Sequence, residues 1–135
     1  MTTPAPQSCR AVRYHDVGGP DVLAVETIDV PAPGEGELRI RLAATGLNPV
    51  DFKIRRGGSS YVVDLPTVLG REFSGVVEAA GRGITEFRIG DRVFGSLPSG
   101  SASELVIAPV TAVAPVPADV DLELAAGLAL AGQTA

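Results

Sequence analysis

The chain has 135 residues, a length that suits one domain, and 45% of them are hydrophobic, which is enough to build a core. The net charge of -5 and the absence of a basic patch argue against nucleic acid as a partner. The single cysteine, Cys9, excludes an intrachain disulfide framework and a zinc site built from cysteines. Sixteen glycines, eleven prolines and only 4% aromatic residues predict many turns between short strands.

The sequence shows no signal for export or for a membrane span. Residues 1–6 lack the cationic segment and the apolar segment of a signal peptide. No apolar run approaches the roughly 20 residues that a membrane-spanning helix needs. We therefore expect a cytoplasmic protein with no membrane partner.

The first part of the chain alternates between strand patterns and turns. Residues 1–9 are rich in Pro, Thr and Ser and predict a flexible tail. Residues 10–15, 22–30 and 37–45 follow the period of two that is typical of strands, and the last of these is the clearest. Its predicted inward side chains are Leu38, Ile40, Leu42 and Ala44, and its predicted outward side chains are Glu37, Arg39 and Arg41.

A short helix is predicted for residues 49–56, because Asn48 is a good N-cap, Pro49 suits the first helical position and Gly57 suits the position past the end. Further strands are predicted around residues 72–80, 93–94, 104–108 and 111–114. From Asp121 onward, an Ala- and Leu-rich pattern predicts a second helix that needs a partner surface. Together these elements predict a mainly β fold, a partly open antiparallel barrel with short helices.

The sequence around Gly81 and Gly83 begins like a dinucleotide-binding loop, with a strand followed by G-x-G. Such a loop needs a third small residue and then a helix, but Glu86 stands at the third position. The segment 87–91 is too short and too closely bounded by glycine to form that helix. We therefore interpret the motif as a turn between two strands, and the chain has no readable phosphate cradle.

Three motifs carry a resemblance to a known family: Gly46-Leu47-Asn48-Pro49-Val50-Asp51, Gly70-Arg71-Glu72 and Gly90-Asp91-Arg92-Val93-Phe94-Gly95. In this order and spacing the chain resembles the catalytic domain of medium-chain dehydrogenases/reductases, in particular the zinc-independent quinone oxidoreductase branch. The resemblance implies a GroES-like catalytic domain over residues 10–120. It also implies that residues 121–135 begin the connection to a Rossmann cofactor domain that is absent from this chain.

The resemblance also bears on metal content. In the zinc-dependent alcohol dehydrogenases of this superfamily, a Cys and a His bind the catalytic zinc at the positions that Asn48 and Arg71 occupy here. Asn is a poor zinc ligand, and Arg stays protonated and has no lone pair to offer. The superfamily's structural zinc lobe needs four cysteines, which this chain lacks. We therefore expect no zinc.

The activity that the resemblance implies is hydride transfer from NADPH to a quinone or an enone, with the protein supplying position and polarisation. The implied catalytic residues are Asn48, Lys53 and Tyr61, and the implied cofactor contacts are Asn48 and Thr134. We expect the complete enzyme to be a homo-oligomer and this chain alone to be inactive.

Several of the motif residues also have a structural interpretation. Asn48 is a helix N-cap in any case, Lys53 on a short helix is more often solvated, and Arg71 and Glu72 fit a role in supporting the fold. Two other functions remain open at this point: a stand-alone GroES-like binding module without redox activity, and an enoyl reductase module of a polyketide synthase. A co-chaperonin-like oligomer is the weakest alternative, because no long mobile loop with an apolar tip is visible.

Overall fold

The computed structural model describes residues 4–134 and shows a mainly β architecture with three short α-helices in that range. The strands are β1 Gln7–Tyr14, β2 Ala24–Val30, β3 Glu37–Gly46, β4 Thr67–Val68, β5 Glu72–Ala80, β6 Arg92–Ser96, β7 Leu105–Pro109 and β8 Val113–Pro115. The helices are α1 Pro49–Arg56, α2 Leu122–Ala125 and α3 Ala129–Thr134, and single 3-10 turns lie at Pro20–Val22 and Val110–Ala112.

The strands form two antiparallel sheets. One sheet has three strands in the order β2-β1-β4, and the other has five in the order β7-β3-β5-β6-β8. The segment 102–104 joins them: the Val12 amide donates to the carbonyl of Ala102 at 2.8 Å, and the Glu104 amide donates to the carbonyl of Arg10 at 3.0 Å. The sheets meet along this seam without closing into a continuous cylinder, which confirms the predicted partly open barrel.

The main core cluster is formed by side chains from strands of the larger sheet, and it includes residues of the predicted inward face of β3. Leu38 and Ile40 are fully buried and pack in one cluster with Phe73, Val77 and Val93. Because alternate side chains of a strand point to opposite faces, the period-of-two pattern was sufficient to find these core positions.

One outward prediction on β3 is wrong. Arg39 is only 2% exposed, and its guanidinium donates to Glu78 Oε1 at 2.8 Å and to the carbonyl of Ala5 at 2.6 Å. The N-terminal segment covers this face of the strand, and the buried charge is matched by a carboxylate and by backbone carbonyls. No local sequence pattern shows that a distant segment will cover Arg39.

The predicted tail is too long. Strand β1 begins at Gln7, which pairs with Val30, and Cys9 is buried against Val30 and Leu105. The Cys9 thiol lies 3.3 Å from the hydroxyl of Ser103. Residues 7–9 therefore belong to the sheet, and residues 1–3 of the predicted tail lie outside the described residues.

The C-terminal segment forms two short helices instead of one. Asp121 caps α2 as predicted, by accepting from the Glu123 amide at 2.9 Å. The following amides, including that of Gly127, then bond three residues back instead of four, so the α-helix ends and restarts at Ala129. Glycine is a poor helix former, which is consistent with a break here.

One side of this segment packs on the chain's own sheet. Ala125, Ala126 and Ala129 are buried, and Ser74 of β5 donates its hydroxyl to the carbonyl of Leu122. The opposite side leaves large apolar side chains exposed, with Leu124 70% and Leu128 53% accessible. The predicted need for a partner surface is therefore met in part within the domain. No helix that the structure describes has the length and apolar character of a membrane span.

The G-x-G segment is a structural turn, as predicted. The Gly81 amide donates to the carbonyl of Glu37 at 2.8 Å, and the Arg82 carbonyl accepts from the Gly36 amide at 3.1 Å. A Cβ atom on Gly81 would overlap the carbonyl oxygen of Gly34, so the glycine is required by close packing of two backbone segments. The next regular element is β6 rather than a helix.

This packing predicts the effect of adding a single methyl group. Gly81→Ala should lower the free energy of unfolding by about 3 kcal/mol, because the backbone of the facing loop has to move. Gly58→Ala is the matched control, since a Cβ there meets nothing within 4 Å, and it should be neutral or slightly stabilising. Urea denaturation of both variants measures the difference, and equal midpoints would contradict the packing role of Gly81.

Candidate functional site

The first side of the site is the N-terminus of α1. Asn48 has the extended conformation of an N-cap, with φ -129° and ψ 153°, and Gly57 ends the helix with a positive φ of 81°. The backbone amide of Asn48 donates to Asp51 Oδ2 at 2.8 Å, so the third helical residue reaches back to the cap. These contacts confirm the predicted bounds of the helix.

The side-chain amide of Asn48 is held by Glu72. Asn48 Nδ2 donates to Glu72 Oε1 at 2.7 Å, and Glu72 is only 2% exposed. Because an ionised carboxylate only accepts hydrogen bonds, this contact fixes which end of the Asn48 amide is the nitrogen. One amide proton is used in this way, and the other can be offered to a ligand oxygen.

The second side of the site is α3, which the same carboxylate holds. Glu72 Oε2 accepts from the backbone amide of Leu130 at 2.7 Å, in the first turn of α3, where amides have no partner within the helix. Thr134 lies at the other end of this short helix, and its hydroxyl donates to the carbonyl of Leu130 at 2.9 Å. A single buried side chain therefore positions both Asn48 and the helix that carries Thr134.

The Glu72 carboxylate packs closely against the backbone of Gly46, which has no side chain in the way. A Cβ atom on Gly46, at the end of β3, would overlap the Glu72 carboxylate. Thr45 donates its hydroxyl to the backbone carbonyl of Glu72 at 2.9 Å, which fixes the start of β5 beside the end of β3. The Gly46 motif position is thus explained by the close approach of a buried carboxylate to the backbone.

Between α1, α3 and the loop before β4 lies an open cavity of about 520 Å³. Its apolar walls are Pro49, Val50, Leu130 and Ala131, and its polar lining is Asn48, Tyr61, Arg71 and Thr134. The structure thus brings together three of the four predicted site residues. An apolar cleft with a few convergent polar groups is the usual form of a small-molecule site.

Lys53 is the predicted site residue that the structure does not bring to this cavity. It is exposed on α1 and does not line the cavity. Within residues 4–134, no three His, Cys, Asp or Glu side chains come together as a possible metal site.

Arg71 is a lining residue for which our sequence interpretation favoured a role in supporting the fold over a role in catalysis. Its guanidinium carbon lies 4.8 Å from the centroid of the Tyr61 ring, within the range of a cation-π contact. Its Nε atom is buried, with no hydrogen-bond partner in the part of the chain that the structure describes. The available sequence signal was its position next to Glu72, at the motif position that the family resemblance aligns with the zinc-binding His of zinc-dependent alcohol dehydrogenases.

Asp51 lies behind Arg71 in a separate small cavity that both residues line. Burial raises the pKa of the Asp51 carboxyl, and the hydrogen bond from the Asn48 amide and the charge of Arg71 oppose that rise.

The larger cavity between α1 and α3 offers hydrogen-bond donors and one positive charge beside apolar walls. Chemically, it can bind an oxygen-bearing organic molecule and stabilise negative charge on its oxygen.

Comparison with known proteins places this geometry in a family. Residues 34–118 match the family described as alcohol dehydrogenase GroES-like domain. Rat (Rattus norvegicus) quinone oxidoreductase is 36% identical over 123 residues, and the match covers 90% of this chain and 37% of that protein. The 2-haloacrylate reductase of a Burkholderia species is 40% identical over 130 residues, covering 93% of this chain and 39% of the reductase.

The solved structures agree with the sequence matches. The structure of Escherichia coli quinone oxidoreductase complexed with NADPH superposes with a TM-score of 0.83 at 30% identity, covering 93% of this chain and 38% of that one. The chain thus spans less than two fifths of the length of these relatives. It belongs to the alcohol dehydrogenase GroES-like domain family of the medium-chain dehydrogenase/reductase superfamily, with quinone oxidoreductases among its relatives.

Proposed function

We propose that this chain is the catalytic-domain portion of an NADPH-dependent, zinc-independent oxidoreductase that reduces quinones or other activated alkenes. The observation that carries the proposal is the convergence of Asn48, Tyr61 and Thr134 on one apolar cavity. Relatives named for quinone and haloacrylate reduction, and one solved with NADPH, support the same reaction class. Quinones and acrylates share an alkene conjugated to a carbonyl or carboxyl group.

The residues present fit one end of the cofactor. The cavity offers the Asn48 amide and the Thr134 hydroxyl beside apolar walls, which suits a nicotinamide and its ribose. No phosphate cradle is available at the G-x-G turn, since Gly81 is packed against Gly34. The proposal therefore assigns Asn48 and Thr134 to the nicotinamide end and leaves the phosphates to a second domain.

A second domain is also supported by the exposed apolar side of α2 and α3. Leu124 and Leu128 are exposed next to the cavity-forming helix, and a surface of this kind normally meets a partner. The greater length of the relatives is consistent with such a domain.

NADPH, when bound, would supply the hydride, and the chain's own residues would prepare the acceptor. Apolar walls formed by Val50 and Leu130 would hold the alkene and exclude water. The second N–H group of the Asn48 side-chain amide would donate a hydrogen bond to the substrate oxygen, on which negative charge develops as the alkene is reduced. Tyr61 would line the pocket, and Lys53 has no place in this proposal because it lies outside the cavity.

The function predicts different behaviour for the complete protein and for residues 1–135. The protein expressed from its complete gene should oxidise NADPH when para-benzoquinone is added, followed by NADPH absorbance. The isolated chain should show no NADPH binding in calorimetry, because the described part of it offers no phosphate cradle. Two results would contradict the proposal: micromolar NADPH binding by residues 1–135, or a complete protein that binds NADPH but does not oxidise it. A complete protein that neither binds nor oxidises NADPH would favour a stand-alone binding module.

A pair of variants separates the cap role of Asn48 from its amide role. Asn48→Ala removes both the cap, at about 1 kcal/mol, and a donor to the buried Glu72 carboxylate, at about 1–3 kcal/mol. Asn48→Ser keeps a capping side chain but loses the amide. We expect both variants of the complete enzyme to lose turnover, with Asn48→Ser the more stable in thermal unfolding. Unchanged turnover in both would leave Asn48 with a structural role only.

A further inference from the structure

The charge on the cavity surface comes from one side chain. Of the eight residues that line the cavity, Arg71 is the only one with an ionisable group that is charged near neutral pH. None of the ion pairs in the described part of the chain includes Arg71. Within residues 4–134, its guanidinium therefore forms no ion pair with a carboxylate.

The two neighbouring carboxylates, Glu72 and Asp51, form no ion pair with Arg71. Both oxygens of Glu72 accept hydrogen bonds, from Asn48 and from Leu130, and Glu72 does not line the cavity. Asp51 borders the small cavity that Arg71 also lines; its Oδ2 accepts from the backbone of Asn48, and its charge acts on Arg71 without an ion-pair contact. The guanidinium N–H groups that the described residues leave without a hydrogen-bond partner are open to solvent or to a ligand.

Arg71 is positioned by a contact with Tyr61 and forms no ion pair within the described residues. Its guanidinium carbon lies 4.8 Å from the centroid of the Tyr61 ring, and because Nε is buried, the two terminal NH₂ groups are the ones that remain for hydrogen bonding with a ligand. A guanidinium edge matches the geometry of a carboxylate, to which it can donate two parallel hydrogen bonds. The apolar walls at Val50 and Leu130 are suited to the hydrocarbon part of the same molecule.

From this geometry we infer that Arg71 selects substrates that carry a carboxylate next to the reducible alkene, so that an unsaturated carboxylate is preferred over a neutral molecule of the same shape. The inference rests on the proposed function for the reduction itself, but the recognition of the carboxylate needs only the cavity. Arg71 acts here as a specificity-determining residue, which holds the anionic group while Asn48 and the apolar walls hold the rest.

The test compares trans-cinnamate with its neutral counterpart cinnamamide as probes, titrated into the isotope-labelled 135-residue chain and followed by NMR. The chain should bind trans-cinnamate about tenfold more tightly than cinnamamide, with shifts at residues of the cavity, since charged hydrogen bonds are about twice as strong as neutral ones. Arg71→Gln should abolish this preference. Arg82→Gln removes the same charge from an exposed turn and is the matched control, which should keep the preference.

Arg71→Lys provides a second variant in case Arg71→Gln does not fold. It keeps the positive charge but not the planar fork, so it should retain part of the preference. Any of three results would overturn the inference. The native chain could bind both probes with equal affinity, or neither probe could cause an NMR shift at residues of the cavity. The third result is a preference for trans-cinnamate that survives Arg71→Gln.

The inference and the proposed function fail in different ways. A complete protein that reduces para-benzoquinone but shows no preference for trans-cinnamate would keep the proposed function and reject the role of Arg71. Selective binding of trans-cinnamate by a complete protein that reduces no alkene and no quinone would support the role of Arg71 in recognition and reject the proposed function.

Discussion

The buried carboxylate of Glu72 ties together segments of the chain that are far apart in sequence. Removing an ionised carboxylate from water is costly unless its oxygens are hydrogen-bonded, and here one oxygen accepts from Asn48 and the other from Leu130. The first contact holds the N-terminus of α1, and the second holds the first turn of α3. Because α1 and α3 form the walls of the cavity, the shape of the site depends on this one side chain.

The surrounding sequence is explained by the same requirement. Gly46 leaves the space that the Glu72 carboxylate fills, and the Thr45 hydroxyl donates to the Glu72 backbone carbonyl. The motif that begins at Gly46 and the motif that ends at Glu72 therefore pack directly against each other. Arg71 lies just before the first residue of β5 and lines the cavity, whereas Glu72 begins the strand and is buried. Adjacent residues of one motif thus serve the fold and the cavity separately.

Much of the fold was predictable because it depends on local rules. The bounds of α1 follow from Asn48, Pro49 and Gly57, and the core face of β3 follows from alternation. What sequence reasoning missed about Arg39 depends on a contact between distant segments, because the N-terminal segment covers this side chain. Lys53, in contrast, is simply exposed on α1 and does not line the cavity. The prediction that Asn48, Tyr61 and Thr134 belong to one site came from the family resemblance, since no local pattern relates three residues so far apart.

The central claim is that Glu72 and Asn48 act as a coupled pair that organises the site. A double-mutant cycle with Asn48→Ala and Glu72→Ala, measured as free energies of unfolding in urea, tests it most directly. The account predicts a coupling energy of about 1–3 kcal/mol, because the second substitution costs less once its hydrogen-bond partner is gone. Effects that add within about 0.5 kcal/mol would contradict it, because the two side chains would then contribute independently.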